Sequence, residues 1–138
     1  KPQMSTNARV GLELKDGQIV SVYHHWDGYP EWLGKTLNEQ FITRDAVEEL
    51  IDGGDMSVCW TDDKFRNAQG LTEKKGYFGP QYYSERGEDC PPQLSNNLVE
   101  YLQDMEEYAY IFNRLGEWIC YRHDWDTEKA VLTEIPAS

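Results

Sequence analysis

Two alternating runs joined by a single Asp-Gly most narrow what this chain can build. Over residues 8–15, Val10, Leu12 and Leu14 fall on one side and Arg9, Gly11 and Glu13 on the other, the period-two pattern of a half-buried strand. Asp16-Gly17 follows, and a second run spans 18–26. Asp-Gly between two β runs is a strong hairpin signal, because glycine readily takes the positive φ of a tight turn. A second hairpin is predicted where 108–114 and 117–123 alternate around Leu115-Gly116. Shorter strands are expected over 56–61 and 81–84, with 127–136 a weaker strand or strap.

Helical spacing fills the gaps. Residues 31–41 read as a helix with Trp32, Leu33 and Leu37 apolar. A clearer helix covers 43–52: Thr43 can cap it, Ala46, Val47, Leu50 and Ile51 form its buried stripe, and Gly53-Gly54 ends it. Pro91-Pro92 is expected to open a third, with Leu94, Leu98, Leu102 and Met105 along one face. Residues 62–79 are polar and glycine-bearing, a long irregular insertion of the kind that often carries function. The expected fold is a single α+β domain over 4–138. Its sheet would be mainly antiparallel, built from two hairpins and a middle strand, and covered on one face by two to three helices. Lys1-Pro2-Gln3, ahead of Met4, reads as an appended remnant outside that argument.

Composition limits function. The chain has 138 residues, 39% hydrophobic and 13% aromatic, enough for one folded domain. Thirteen Lys and Arg against 25 Asp and Glu give a net charge of −12, which repels DNA and anionic membranes at long range. Direct nucleic-acid or membrane partners are therefore not expected. Cys59, Cys90 and Cys120 are an odd set with no close pair, neither a disulfide framework nor a zinc-ribbon spacing. With no 18-residue apolar stretch and no basic-then-apolar leader, the expected compartment is the reducing cytoplasm.

Three polar clusters could carry chemistry. In Tyr23-His24-His25-Trp26-Asp27-Gly28-Tyr29-Pro30, adjacent His24 and His25 point to opposite faces of a strand and cannot both bind one ion. His25 and Asp27 share a face if the strand persists, as metal ligand and carboxylate or as base and orienting partner. The plainer reading has Asp27 capping the turn and His25 satisfying a backbone carbonyl. Arg122-His123-Asp124-Trp125-Asp126 has the composition of an ion site without a recognised ligand spacing. If the two hairpins are neighbours, His25, Asp27, His123 and Asp126 could converge on a divalent metal; otherwise the second cluster is a solvated turn and no cofactor is expected. In Tyr82-Tyr83-Ser84-Glu85-Arg86-Gly87-Glu88-Asp89, Arg86 could clamp an anion or stitch the loop to Asp27. Phosphate-loop, Rossmann and nucleophile-elbow glycine patterns are absent.

Two of these clusters resemble the signature of a small family of bacteriophage and plasmid proteins. Its members open with a hairpin and then read approximately Ile-Tyr-Cys-His-Trp-Asp-Gly-Tyr-Pro, with Gly-Lys-Thr-Leu soon after. Here the stretch is Val22-Tyr23-His24-His25-Trp26-Asp27-Gly28-Tyr29-Pro30, followed by Gly34-Lys35-Thr36-Leu37. A Tyr-His-Arg-Asp-Arg-Gly-Glu segment of the family is matched by Tyr82 to Glu88, and a later aromatic hairpin by Glu107 to Phe112 and Gly116 to Trp118. The sequence departs where His24 stands for Cys and Tyr83-Ser84 for His-Arg, which removes a ligand and a cation. The resemblance implies an accessory gene of a phage or mobile element, acting inside the host cell, and implies little chemistry.

The leading expectation is a non-enzymatic acidic accessory protein that binds a host or phage macromolecule. Carboxylate-studded helices would dock on a basic protein surface, with mimicry of DNA charge as one version. The candidate binding residues are His25, Trp26, Asp27, Tyr29, Glu85 and Arg86. The alternative is a small hydrolase or a ligand- or metal-binding domain with its pocket around His25, Asp27 and Arg86. A third reading makes the clusters a structural network and leaves function to the 62–79 loop. A homodimer could form by pairing along the 108–123 hairpin edge.

Overall fold

The computed structural model describes residues 6–60 and 79–137. The predicted insertion lies outside the described residues except for Gly79, as does the 1–3 remnant. In chain order the elements are β1 (Ala8–Glu13), β2 (Ile19–His24), a π-helical turn (Pro30–Gly34) running into α1 (Lys35–Gln40), and α2 (Arg44–Asp52). Then come β3 (Met56–Trp60), β4 (Gly79–Tyr82), a 3-10 turn (Tyr83–Arg86), β5 (Gln93–Ser95) and α3 (Leu98–Gln103). The chain closes with β6 (Tyr108–Phe112), β7 (Trp118–Asp124) and β8 (Lys129–Thr133).

Both hairpins form where the turn residues place them, and with one loop design. In each, a five-residue loop carries a positive-φ glycine at its fourth position, Gly17 at φ 90° and Gly116 at φ 81°. Leu14 and Gln18 close the first loop and Asn113 and Glu117 the second, through backbone bonds of 2.8 and 2.9 Å. Val10 lies opposite Val22, and Tyr110 opposite Cys120.

All eight strands join one sheet in the order β4-β3-β2-β1-β6-β7-β8, with β5 also paired to β2. The expected mainly antiparallel sheet is in fact mixed, because β1 runs parallel to β6 and β2 parallel to β3. Turn chemistry fixes the pairing inside each hairpin, but it says nothing about how one hairpin lies against the next. That join is set by burial: five of the six β1 residues are buried, so both edges and both faces of β1 are taken. The predicted dimer edge at 108–123 is likewise occupied, β6 by β1 and β7 by β8.

Helices cover both faces rather than one. Ala8, Val10, Leu12, Val22, Tyr110 and Phe112 pack against Leu33 and Leu37 of the first helical segment and Val47, Leu50 and Ile51 of α2. The alternate positions Ile19, Ala109 and Ile111 pack instead against Tyr101 of α3. Gly11 makes this second layer feasible: a Cβ there would lie 2.8 Å from Ile19 and 3.1 Å from the Tyr101 ring. Thr43 caps α2 as expected, its hydroxyl accepting from the Ala46 N–H at 3.1 Å. The helix expected after Pro91-Pro92 begins later. Residues 93–95 pair with β2 instead, and Asn97 starts α3 by accepting from the Glu100 N–H at 2.9 Å. Leu94 is exposed as a result, off the helical face assigned to it.

Candidate functional site

His25 sits just past the end of β2, on the α3 face of the sheet. Its backbone N–H donates to the Met56 carbonyl beside the single His24–Met56 parallel pair, and the next, Trp26, donates to the Ser57 carbonyl. Its ring is held by two side chains. Tyr23 Oη lies 2.7 Å from Nδ1, and Asn7 Nδ2 lies 3.3 Å from the same atom. Because the Asn7 amide also donates to the His25 carbonyl at 2.9 Å, its NH2 end faces the ring. Nδ1 is therefore an acceptor, the Tyr23 hydroxyl donates to it, and in the neutral ring the proton sits on Nε2. Burial, with Glu106 nearby, pushes the Tyr23 phenol up to about 12, which keeps that donor protonated. The ring's partner at Nδ1 is thus Tyr23, two residues earlier on the same strand face, in place of either the Asp27 carboxylate or a backbone carbonyl.

Asp27 belongs to the turn. Its φ of 54° turns the chain so that the Gly28 N–H reaches the Thr6 carbonyl at 2.8 Å and the Gly28 carbonyl accepts from the Tyr110 hydroxyl at 2.7 Å. Burial raises the Asp27 carboxyl above its ordinary range, and burial together with Asp27 and Glu31 raises the Tyr29 phenol. Tyr29 also starts the π-helical turn, its carbonyl accepting from Trp32 and Leu33. Trp26 is 45% exposed, with its ring edge-on to His25 at 4.8 Å.

The first and third clusters are joined by a residue that the sequence did not single out. The Asp55 carboxylate accepts from the Tyr23 N–H at 2.9 Å, while the Asp55 carbonyl accepts from the Tyr83 N–H at 3.1 Å. Asp55 thus fills the gap on the outer edge of β2 between β5 and β3. Arg86 lies over the Tyr83 ring, 4.8 Å from its centre, and makes no ion pair among the described residues. It is not stitched to Asp27. Glu85 is exposed beside it on the same turn.

The second cluster is elsewhere. Two strands, β1 and β6, separate β2 from β7, so His25 and His123 are three inter-strand steps of about 4.8 Å apart, roughly 14 Å. His25, Asp27, His123 and Asp126 do not converge, and among the described residues no three His, Cys, Asp or Glu side chains gather in a way that could hold an ion. His123 instead meets Glu128 at 3.3 Å and the edge of Trp125 at 4.2 Å. Asp124 organises the β7–β8 turn, and the Thr127 hydroxyl and Asp126 N–H on its carboxylate hold its pKa below the ordinary carboxylate range.

His24 points to the opposite face and is fully buried. Its Nε2 accepts from the Cys59 N–H at 3.0 Å, which places the proton on Nδ1. Burial first, and His25 second, pull the imidazole down to about 3, so it is neutral. Cys59 and Cys120 are buried thiols pushed up to about 12, poor nucleophiles by that measure. No described helix is long and apolar enough to cross a membrane. Comparison of the chain with protein-family models, with curated proteins and with solved structures gives no match.

Proposed function

We propose that this domain is a non-enzymatic acidic accessory protein, of phage or mobile-element origin, that binds a basic surface on a host or phage protein. One observation carries the reading. The solvent side of α2 presents Asp45, Glu48, Glu49 and Asp52 while Val47, Leu50 and Ile51 are buried, and only Glu48 meets a cation among the described residues, Arg44 at 3.8 Å. A row of exposed carboxylates on a chain of net charge −12 attracts cationic surfaces and repels anionic ones.

The test is capture of partners from host lysate over a salt series through about 0.15 M, where the Debye length is about 8 Å. Captured proteins should be basic and should be released as salt rises, and neutralising Glu48, Glu49 and Asp52 together should weaken retention. An acidic partner, or one held equally at high salt, would remove the reading.

A second reading rests on the Tyr23–His25 pair, in which the Tyr23 hydroxyl engages Nδ1 and leaves Nε2 to meet a ligand. A thermal-shift panel of divalent metals, nucleotides and phosphorylated metabolites, repeated on His25→Ala, separates the two. A ligand at about 100 times its Kd stabilises by about 2.7 kcal/mol, a shift of several degrees for a domain of this size. A shift abolished by His25→Ala would favour the ligand site over the protein-binding surface.

A further inference from the structure

The α3 face of the sheet is only half covered. α3 has six residues and sits over β1 and β6, with the Tyr101 ring against Gly11 and its hydroxyl donating to the Tyr110 carbonyl at 2.8 Å. Leu102 and Met105 reach as far as Tyr121 on β7. Beyond them the sheet continues, among the described residues, without a helical layer. Tyr121 pairs with Leu132 and His123 with Ala130, so these four side chains share the α3 face. Leu132 is nevertheless 65% exposed, and on the flank of α3 Val99 is 66% and Leu98 39% exposed. Two concave areas lie on this face, one lined by Leu98, Ile111, Ile119 and Tyr121, the other by Val99, Leu102 and Ala130.

The dimensions of this shelf suit one kind of occupant. Two strands about 4.8 Å apart give a floor roughly 10 Å wide, the diameter of one α-helix with its side chains. The opposite face already has its helices, whereas no described helix lies on the shelf. The charge around it selects the sign. Residues 96–137, which build most of the shelf, hold nine Asp and Glu against three Lys and Arg, a net −6 of the chain's −12. Glu13 stands at one end, met by Arg114 at 3.5 Å, and Glu128, met by His123 at 3.3 Å, stands at the other beside Lys129. A second copy of the chain fits poorly, since its most amphipathic helix, α2, turns four carboxylates outward.

We infer that the shelf between α3 and β7–β8 docks an amphipathic helix of net positive charge supplied by a partner protein. Its apolar side would lie on Val99, Tyr121 and Leu132, and its cations would meet the surrounding carboxylates. This inference rests on the basic-partner reading above and assigns it a surface different from α2.

The experiment is a selection on the intact protein from a displayed library of randomised helical peptides, followed by anisotropy titrations of synthesised binders. The selected peptides should be net positive, carry apolar residues at i, i+3 or i+4 and i+7, and lose roughly tenfold or more in affinity with Val99→Asp or Leu132→Asp. Both positions are exposed, and thermal melts establish that the variants remain folded. Neutral or acidic peptides, or peptides that bind both variants as they bind the parent, would overturn the inference. If binding responds only to neutralising Glu48, Glu49 and Asp52, the basic-partner reading stands and this surface does not. If no peptide binds, this inference falls, and the basic-partner reading is decided separately by the salt-dependent capture. A concentration-dependent dimer seen in sedimentation and lost in Leu132→Asp would also overturn it, by placing a second copy on the shelf.

Discussion

His24 and His25 are neighbours in sequence and opposites in environment. His24 is fully buried and stays neutral until about pH 3, against an ordinary value of 6.5. The unfolded chain therefore takes up this proton first as the pH drops. Stability from the neutral ring is complete above pH 6.5 and is lost as pH falls through the window down to about 3. At pH 5 the loss from this one group is about 2 kcal/mol. Urea denaturation at pH 7 and at pH 5 should show that difference in the parent protein, and His24→Gln should flatten it; equal pH slopes would refute the assignment. His25 makes a different prediction, because its tautomer is imposed by the Tyr23 hydroxyl. Nitrogen NMR above the imidazole titration should find the Nε2-protonated form, shifting toward a mixture in Tyr23→Phe. A parent ring already split between tautomers would show that the 2.7 Å contact does not set the proton.

Among the elements, α2 and α3 depend on their ends for different reasons. At the C-terminus of α2, Gly53 has an ordinary helical φ of −71°, so its need for glycine is one of space. A Cβ there would run into the Tyr82 ring, whose hydroxyl donates to the Leu50 carbonyl at 2.7 Å. Gly53→Ala should therefore cost about 1–3 kcal/mol in chemical denaturation, as overpacking does. Six-residue α3 is too short to persist alone and depends on its cap and on Tyr101. Asn97→Ala removes the acceptor of the Glu100 N–H and should cost about 1 kcal/mol. Hydrogen exchange should speed up first in α3 and leave β1 unchanged; uniform acceleration would mean that α3 unfolds only with the whole domain. Thr43 and Gly53-Gly54 made α2 legible because caps are local chemistry. The helix expected after Pro91-Pro92 was not legible: the apolar spacing from Leu94 to Met105 suits a helix, but pairing of 93–95 with β2 satisfies that backbone first.

For the molecule as a whole, net charge −12 on one domain opposes compaction at low ionic strength. The melting temperature should rise as salt is raised from about 0.01 to about 0.15 M, where the Debye length shrinks from about 30 to about 8 Å. A flat profile would mean that the carboxylates are spread widely enough not to feel one another. The sequence by itself determined the α+β class, both hairpins with their Gly17 and Gly116 turns, and the capped α2, because each depends on residues only a few positions apart. Only the tertiary structure decided that β1 and β6 run parallel, that α3 takes the opposite face, and that His25 belongs with Tyr23 and Asn7 while His123 stands three strands away. Those choices rest on which apolar faces are buried together, an energy shared by residues up to a hundred positions apart that no local pattern encodes.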